Sequence, residues 1–353
     1  MRYDIWATVQ DPGEMANMVP VVKLLRDMGL SVRLLAAGSA LAALKEKGCE
    51  YWDATDPKAI AQSEEAPRLL LATTAYQGGA GRDLIPLLRG KSKSVLLQSM
   101  WGGLAGWGQE HVPDYVITND YVGQRMVTAL WPALASASVY KTGFPMLDQY
   151  AGFDVIAERA KARHMLKLGD NKPLVVFAGQ SDATGAMLAE LVEVLDTYRD
   201  RIHFAPRPHP RMMRDYPSEA ARWDKAVAAY RGRVVDTSQC SMMQLVAAAW
   251  PYGAVASMYS TTLLEAAAAR TTAIAMLYPE ALAAFRKENP GLEQFPLAEL
   301  GCSWHAPDRA SLEYAVSTAL TRSNVLRPQQ MQHIVVDGQN ARRAADVVIG
   351  LLQ

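Results

Sequence analysis

The chain has few cysteines, no excess of charge of either sign and no long apolar run. Cys49, Cys240 and Cys302 lie far apart and form no C-x-x-C pair, so neither a disulfide framework nor a zinc site is indicated. Cysteine usage of this kind fits a reducing cytoplasm. The 36 Lys and Arg residues balance 36 Asp and Glu residues, so no global field favours nucleic acid or an anionic membrane.

Membrane-directing segments are also missing from the pattern. The first residues, MRYDIWATVQDP, contain one basic residue and a short apolar run that ends at polar and turn residues, unlike a signal peptide. Nowhere do about 18 apolar residues run uninterrupted, so no transmembrane helix is expected. We therefore predict a cytoplasmic location and leave peripheral association with the inner membrane open, together with the oligomeric state.

Length and patterning predict two α/β domains. The 353 residues, half of them hydrophobic, exceed what one core usually organises. Short apolar runs alternate with amphipathic helical patterns, which is typical of parallel strands joined by crossovers. The predicted strands of the first part are 3–9, 31–37, 50–53, 68–74, 94–98, 114–118 and a last one starting at 139. The predicted helices of the first part are 15–28, 41–47, 82–89 and 121–130.

The alternation of predicted strands and helices restarts after a charged helical segment without strand character. The strands predicted in the second part are 173–179, 201–207, 233–237, 253–257 and 272–277, and helical patterns close the chain at 309–322 and 328–352. We predict two Rossmann-like, doubly wound parallel-sheet domains facing a cleft. The predicted boundaries are 1–150 for the N-terminal domain, 151–170 for a connector, 171–327 for the C-terminal domain and 328–353 for a helix returning to the N-terminal domain.

Chemistry is expected in the loops after the strands, because ligands of such sheets bind beyond the carboxyl ends of the strands. After the first strand, Asp11 precedes a helix whose first turn holds Glu14 and Asn17. One interpretation is a turn with acidic residues at a helix N-terminus. The other makes Glu14, or second Asp11, a base facing the cleft, with Asn17 near the acceptor.

Two glycine-rich loops follow later strands. The loop 73–83 lacks the Walker lysine and does not fit G-x-G-x-x-G, so it predicts a turn better than a nucleotide loop. The loop 98–114 interleaves glycines with Trp101 and Trp107. Aromatic faces beside flexible backbone suit a sugar, which makes Trp101 and Gly102 candidate acceptor residues, and burial of both tryptophans in the core is the equal alternative.

Basic residues alternate after a strand of the second part, in APRPHPRMM. Pro208 and Pro210 favour extended backbone, which would project Arg207, His209 and Arg211 to one side. Guanidinium groups bind phosphate bidentately and an imidazole can donate a hydrogen bond, so this segment indicates a phosphate site.

A run of hydroxyl residues precedes an Ala-rich helix in SMYSTTLLE. Ser260, Thr261 or Thr262 can cap a helix predicted to begin near 263, and capping needs only one hydroxyl. Several together favour a phosphate or diphosphate cradle, with Glu265 one turn on as a hydroxyl acceptor. No DxD, HExxH or GxSxG motif occurs, so no metal and no other cofactor is expected.

The two lobes, the R-x-H-P motif and S-T-T-x-x-E-A-A together resemble the GT-B superfamily of nucleotide-sugar glycosyltransferases over essentially the whole chain. The sequence is similar to HP-motif sialyltransferases and Kdo transferases and to CDP-glycerol glycerophosphotransferases. This resemblance implies that His209, Ser260 and Thr261 contact the donor phosphate, and that 337–348 forms a closing helix on the first lobe. The remaining residues of the expected donor site are Gly179, Gln180, Ser181, Arg207, Thr262 and Glu265.

A second resemblance is to non-hydrolysing UDP-N-acetylglucosamine 2-epimerases, through 11–25 and 141–148. The H-x-E-A-G-L motif of those enzymes is replaced here by LQSMWGGLAG, which lacks the acidic residue, and the acidic D/E-D/E-G motif of the sialyltransferases is absent too. The expected activity is therefore metal-independent transfer of a sugar or related group from a nucleotide donor to a glycan or glycoconjugate acceptor in surface polysaccharide assembly. Epimerisation, or sugar-nucleotide binding without catalysis, remain the alternatives.

Overall fold

The computed structural model describes residues 2–74, 79–181, 183–289 and 292–353, without the side chains of Pro210 and Glu288. Its internal contacts divide the chain into two units. The first comprises Met1–Ala151, Glu288–Pro290 and Val335–Gln353, and the second comprises Gly152–Lys287 and Gly291–Ile334. Much of the glycine-rich loop predicted at 73–83, namely 75–78, lies outside the described residues.

The strands are β1 (Ile5–Val9), β2 (Val32–Ala36), β3 (Trp52–Asp53), β4 (Leu69–Thr73), β5 (Lys93–Leu97), β6 (Tyr115–Thr118), β7 (Val139–Lys141), β8 (Leu174–Ala178), β9 (His203–Arg207), β10 (Ala254–Ser257), β11 (Thr272–Met276) and β12 (Trp304–Ala306). All of their pairings are parallel within the described residues. The strand order is β3-β2-β1-β4-β5-β6-β7 in the first unit and β12-β11-β10-β8-β9 in the second.

The helices are α1 (Pro12–Asp27), α2 (Ala40–Glu46), α3 (Pro57–Ser63), α4 (Ala80–Leu88), α5 (Tyr121–Leu130), α6 (Val155–Met165), α7 (Thr184–Asp196), α8 (Pro210–Asp215), α9 (Pro217–Ala229), α10 (Met242–Ala249), α11 (Thr261–Ala268), α12 (Pro279–Glu288), α13 (Pro296–Glu299), α14 (Arg309–Thr321), α15 (Arg327–His333) and α16 (Asn340–Leu352). Short 3-10 turns occupy Gln109–His111, Ser136–Ser138 and Pro145–Tyr150.

Alternating side chains of the first sheet build a core on each face. Ile5 and Ala7 of β1 lie in one core with buried residues of α1, α2 and α16, whereas Trp6 lies in the other with residues of α4 and α5. Successive side chains of a strand point to opposite faces, so a strand covered on both sides reads as a continuous apolar run. The predicted strands of the first part are confirmed, and β1, β2 and β4 are fully buried in this way, whereas β3 is exposed and β7 partly exposed.

The second sheet is built in the same way around β8, whose residues are all buried. The segment predicted as a connector contains α6, which packs against α10 of the second unit. The residues predicted to form one closing helix at 328–352 form two, because α15 ends before Gly338, whose φ of +74° a regular helix does not allow. Of these, α15 is in the second unit and α16 in the first.

One strand prediction in the second part is wrong, and one strand of the structure was not predicted. The segment 233–237 makes only an isolated bridge between Val234 and Phe204, because the Asp236 carboxylate then accepts the Ser238 N–H and turns the chain away. The short edge strand β12 was not predicted, since three residues give too little alternation to recognise.

Candidate functional site

Three neighbouring strands of the second unit end at the same edge of its sheet. Because β10, β8 and β9 are adjacent and parallel, the loops that follow them start side by side. Strand ends and loops here hold most of the predicted donor residues, namely Gly179, Gln180, Ser181, Arg207, His209, Ser260, Thr261 and Thr262. The structure therefore gathers the predicted donor site at one sheet edge.

The loop after β8 begins with a glycine that no other residue can replace without movement. The Gly179 N–H donates to the Arg207 carbonyl at 2.9 Å. A Cβ atom at Gly179 would lie 2.7 Å from the Trp223 ring, which is too close for an undisturbed contact. Ser181 is partly buried in the same loop. The sheet edge is thus kept free of a side chain at its central strand.

Gln180 connects the loops after β8 and β10. Its Oε1 accepts the Tyr259 N–H at 3.1 Å, and its own N–H donates to Thr184 Oγ1 at 3.2 Å. The Gln180 side chain thereby fixes the backbone just before the hydroxyl run. In the structure Gln180 joins two loops of the protein, whereas the sequence analysis predicted that it contacts the donor nucleotide.

The hydroxyl run caps α11, which begins two residues earlier than predicted. Ser260 is the N-cap: its Oγ accepts the Thr262 N–H at 3.2 Å and donates to Thr262 Oγ1 at 3.1 Å. Thr262 is buried, whereas Thr261 and Glu265 are partly exposed. One hydroxyl therefore serves as the cap, and the first-turn N–H groups lie at the edge where β10 ends.

The basic segment is not extended as predicted, because α8 begins at Pro210. Arg211 lies in this helix, is exposed and pairs with Asp215. The guanidinium of Arg207 donates to the Thr237 carbonyl. His209 is the N-cap, and its Nδ1 accepts the Arg211 N–H at 3.2 Å. Only Arg207 and His209 thus remain at the edge.

His209 is a neutral hydrogen-bond donor in this arrangement. Burial, and next the charge of Arg211, lower the pKa of His209 below its ordinary value of 6.5. Because Nδ1 accepts a backbone N–H, the proton of the neutral ring must be on Nε2. The side chain can therefore present an Nε2–H to an anionic oxygen at neutral pH.

The start of α7, at the same edge, already holds a carboxylate. Glu219 of α9 is 8% exposed, and its Oε2 accepts the Gly185 N–H at 3.0 Å. Arg222 pairs with Glu219 at 3.0 Å and with Glu280 at 3.2 Å. The position that an anion could take at this helix start is filled from within the protein, so α11 is the better candidate.

In the first unit, the predicted base is buried. Glu14 is 2% exposed, and its Oε2 accepts the Gln10 N–H at 2.8 Å and the Thr73 hydroxyl at 2.5 Å. Burial, and next the charge of Asp11, raise the pKa of Glu14 well above its ordinary value. The carboxyl is thus enclosed within the first unit and bonded to its own backbone and to Thr73. Asp11 is the N-cap of α1 and is partly exposed.

Asn17 is buried and links segments of the first unit by hydrogen bonds. Its Nδ2 donates to the Ser99 carbonyl at 3.0 Å, and its Oδ1 accepts the Met146 N–H at 3.2 Å. All of its side chain is buried. The structure therefore gives this predicted acceptor residue a structural task, joining α1 to the loops after β5 and β7.

Trp101 is buried in the core, which is one of the two alternatives that the sequence left open. Its ring is 1% exposed, its Nε1 donates to the Asp120 carboxylate at 2.8 Å, and the Phe144 ring stands edge-on at 4.9 Å between centroids. No face of the ring is open to a sugar. A Cβ atom at Gly102 would overlap the Asn289 side chain, so that glycine allows close packing.

Comparisons with known proteins were made by sequence and by structure. No protein-family model matches the sequence, and no curated protein sequence is significantly similar to it. Solved structures do match along the whole chain. A Staphylococcus aureus MnaA–UDP complex has a TM-score of 0.68 at 12% identity, covering 100% of this chain and 97% of that one.

Two further solved structures also match most of the chain. The UDP-GlcNAc 2-epimerase of Neisseria meningitidis bound to UDP-GlcNAc has a TM-score of 0.68 at 8% identity, over 98% of this chain and 99% of that one. The wall teichoic acid polymerase TagF has a TM-score of 0.57 at 10% identity, over 99% and 89%. The fold is GT-B. At these identities the likeness establishes the fold and nothing finer.

Within the GT-B fold, sequence patterns miss some residues of the two sheet edges. Glu219 reaches the start of α7 from 34 residues away in the chain. Gln98 and Asn119 follow β5 and β6 and are buried, and among the described residues Gln98 Nε2 and the Asn119 side-chain amide have no hydrogen-bond partner. A polar residue directly after a buried strand was the one signal available for these two, but it is common in loops.

The described residues also bear on metal binding and on membrane crossing. In that part of the chain no group of three or more His, Cys, Asp or Glu side chains is arranged to hold a metal ion. Likewise, no helix there has the length and apolar character needed to cross a bilayer.

Proposed function

We propose that this GT-B protein is a glycosyltransferase that moves a sugar or related group from a nucleotide-activated donor to a glycan or glycoconjugate acceptor in surface polysaccharide or glycoconjugate assembly. The observation that carries the proposal is the shared edge of β10, β8 and β9, where the start of α11 lies with Arg207 and His209. In this proposal the second unit binds the donor and the first unit binds the acceptor.

The chemistry requires stabilisation of the leaving group. An acceptor hydroxyl attacks the anomeric carbon, the bond from that carbon to the phosphate oxygen breaks, and negative charge grows on the phosphate. Preorganised N–H donors and cations aimed at this charge lower the barrier. The first-turn N–H groups of α11, the Nε2–H of His209 and the guanidinium of Arg207 supply such groups, which supports a mechanism independent of metal.

The proton of the acceptor hydroxyl needs a base. Burial argues against Glu14 in this role, because its carboxyl is enclosed and its Oε2 already accepts hydrogen bonds from Gln10 and Thr73. Asp11 is partly exposed at the carboxyl end of β1 and is the better candidate of the two. We propose Asp11 as the base for an inverting reaction.

His209 and Arg211 offer a matched test of the donor site, because they are two residues apart and only one lies at the edge. His209→Ala should lower kcat/KM for the donor by about a hundredfold or more, as loss of one transition-state donor does. Arg211→Ala should leave the rate within about twofold, since its charge pairs with Asp215 at the surface. Equal effects of the two substitutions, or none from His209→Ala, would remove His209 from the reaction.

The donor class can be found by thermal-shift screening of the full chain. CMP, CDP, UDP, GDP and TDP, each with its common sugar conjugates, should raise the melting temperature selectively, because a ligand that binds only the folded state stabilises it. Transfer is then measured with the donor so identified, with and without EDTA. We expect the same rate in both; loss of activity on chelation that added metal restores would contradict the metal-independent mechanism.

The second candidate is a nucleotide-sugar epimerase. The structural match to the UDP-GlcNAc 2-epimerase is as good as any reported above. Incubation with the donor alone distinguishes the two reactions: an epimerase yields a new nucleotide sugar without acceptor, whereas a transferase releases nucleotide only when acceptor is added. Nucleotide binding with neither product would indicate a binding protein without catalysis.

A further inference from the structure

Basic side chains gather at one edge of the first sheet, although the whole chain has as many acidic as basic residues. Arg68 directly precedes β4, Lys93 is the first residue of β5, and Asp114 directly precedes β6. Because these strands are adjacent and parallel, their amino ends meet at one edge. Ligands of such sheets bind at the opposite edge, beyond the carboxyl ends. The charge at the amino ends is therefore separate from the expected substrate loops of this unit.

A cavity of about 450 Å³ opens at this edge, and we call it the amino-edge cavity. Its volume lies in the range that holds small ligands. The basic residues that line it are Arg68, Arg89, Lys91 and Lys93, and the acidic one is Asp114. All four basic residues are exposed, so a ligand from solution can reach them.

Only part of this positive charge is offset within the protein. Arg68 pairs with Asp4 at 3.2 Å. The Oδ2 atom of Asp114 accepts the Ser94 N–H at 2.7 Å and the Ser94 hydroxyl at 2.9 Å. With the Arg68 pair set aside, three positive charges line the cavity against one negative charge. The cavity therefore attracts an anion.

Carbonyl oxygens hold two of the basic side chains in place without cancelling their charge. The Nη2 atom of Arg89 donates to the Glu110 carbonyl at 2.8 Å and to the Val112 carbonyl at 3.2 Å. Lys93 Nζ donates to the Leu351 carbonyl at 2.5 Å. A guanidinium has five N–H donors and an ammonium has three, so both groups keep donors for a ligand. Because they are already held, binding costs less side-chain entropy.

Lys91 has no comparable task in the fold. Its side chain is exposed, and its Nζ makes no hydrogen bond or ion pair within the described part of the chain. Its backbone N–H donates to the Leu88 carbonyl at 2.9 Å, which fixes the turn between α4 and β5 that carries it. The Lys91 ammonium is thus available to a ligand. Phosphate has several oxygens, which can accept from guanidinium and ammonium donors at once.

We propose that the amino-edge cavity binds a phosphate group through Arg89, Lys91 and Lys93. The proposal does not depend on the proposed glycosyltransferase reaction, because it concerns the other edge of the first sheet. The phosphate can belong to a soluble phosphate or diphosphate or to the headgroup of an anionic lipid, since the same donors recognise both. A lipid source would place this edge of the first unit at a membrane surface.

Lysine footprinting on the full chain tests the site at single residues. Acetic anhydride modifies exposed lysines, and mass spectrometry measures the rate at each one. Inorganic pyrophosphate is the soluble probe. Vesicles of phosphatidylcholine with phosphatidylglycerol are the lipid probe, and vesicles of phosphatidylcholine alone are their control. Sodium chloride at the ionic strength of the pyrophosphate sample controls for screening.

We expect pyrophosphate or the anionic vesicles, at saturation, to slow acetylation of Lys91 by about fivefold or more, because a bound phosphate engages its ammonium group. Lys58 is exposed on α3 and should keep its rate. Protection by pyrophosphate assigns a soluble phosphate ligand, and protection by the anionic vesicles assigns a lipid headgroup. Either result supports the site.

Variants of Lys91 lower the affinity without removing a contact of the fold. Lys91→Gln should weaken binding of the protecting probe by about fivefold, and Lys91→Glu by about twentyfold or more, because one removes a positive charge and the other reverses it. Calorimetry measures this for pyrophosphate and co-sedimentation for vesicles. Lys58→Gln and Lys58→Glu are the matched controls and should bind like the unaltered protein. Pyrophosphate bound at the second unit is the component that Lys91→Glu leaves unchanged.

Three results would overturn the proposal. The first is that neither probe protects Lys91. The second is equal protection by sodium chloride or by phosphatidylcholine vesicles, which would show screening or a surface effect alone. The third is that Lys91→Glu binds both probes as tightly as the unaltered protein does.

Discussion

At the scale of single residues, burial decides what an acidic side chain can do. Asp11 and Glu14 are three positions apart in one loop and helix start, yet Asp11 caps α1 at the surface and Glu14 is enclosed. The carboxyl of Glu14 joins the loop after β1 to β4 through Gln10 and Thr73. Its part in the protein is to position this loop, which explains why an apolar environment is tolerated around an ionisable group.

Glu14 should therefore make stability depend on pH. Its folded-state pKa is raised above the ordinary value of 4.5, so the folded state binds the proton more tightly than the unfolded state. The stabilisation is complete below pH 4.5 and is lost as pH rises through the folded-state pKa. Urea unfolding of Glu14→Gln across this window should show a smaller loss of stability with rising pH than the unaltered protein. Glu46→Gln, at an exposed position of α2, should not; equal slopes for all three would show that folding does not raise the pKa of Glu14.

At the scale of elements, the same device, a helix start at a strand end, is used in two ways. The start of α7 is occupied by Glu219, whereas that of α11 is capped by its own Ser260. Helix starts favour anions through their free N–H groups and dipole. Because Glu219 occupies the start of α7, we propose the start of α11, and not that of α7, as the site of the donor phosphate.

Substitutions at the start of α11 separate the cap from the ligand site. Ser260→Ala should lower the free energy of unfolding by about 1 kcal/mol, because the cap to Thr262 is lost. Thr261→Ala leaves the cap intact and should weaken nucleotide binding without a change in stability. Thermal melts with and without the best nucleotide of the screen measure both. A loss of stability in Thr261→Ala with unchanged nucleotide affinity would limit the hydroxyl run to a structural role.

At the scale of the whole molecule, the chain returns to the first unit after completing the second. Val335–Gln353 belongs to the first unit, and Val348 of α16 is buried in the core that α1 and β1 share. The first unit is therefore assembled from segments far apart in sequence. Its stability depends on the end of the chain as much as on the beginning.

A charge placed in this shared core should unfold the first unit. Val348→Asp buries an unpaired carboxylate and should cost more than about 3 kcal/mol of stability. Val335→Asp is the matched control, since Val335 is 42% exposed in the same segment, and should change stability by less than about 0.5 kcal/mol. Chemical unfolding followed by circular dichroism compares them. Similar stabilities for both would mean that α16 is not part of the cooperative core.

The sequence by itself determined the parallel α/β architecture, because strands buried on both faces, such as β1 and β4, are continuous apolar runs bounded by turn residues. It also indicated that basic and hydroxyl residues follow strands of the second unit. Tertiary structure alone decided which of the predicted site residues a ligand can reach. The helix α8 removes Arg211 from the edge, burial encloses Glu14 and Trp101, and Glu219 fills the start of α7. Such outcomes depend on contacts between residues distant in the chain, which local periodicity does not contain.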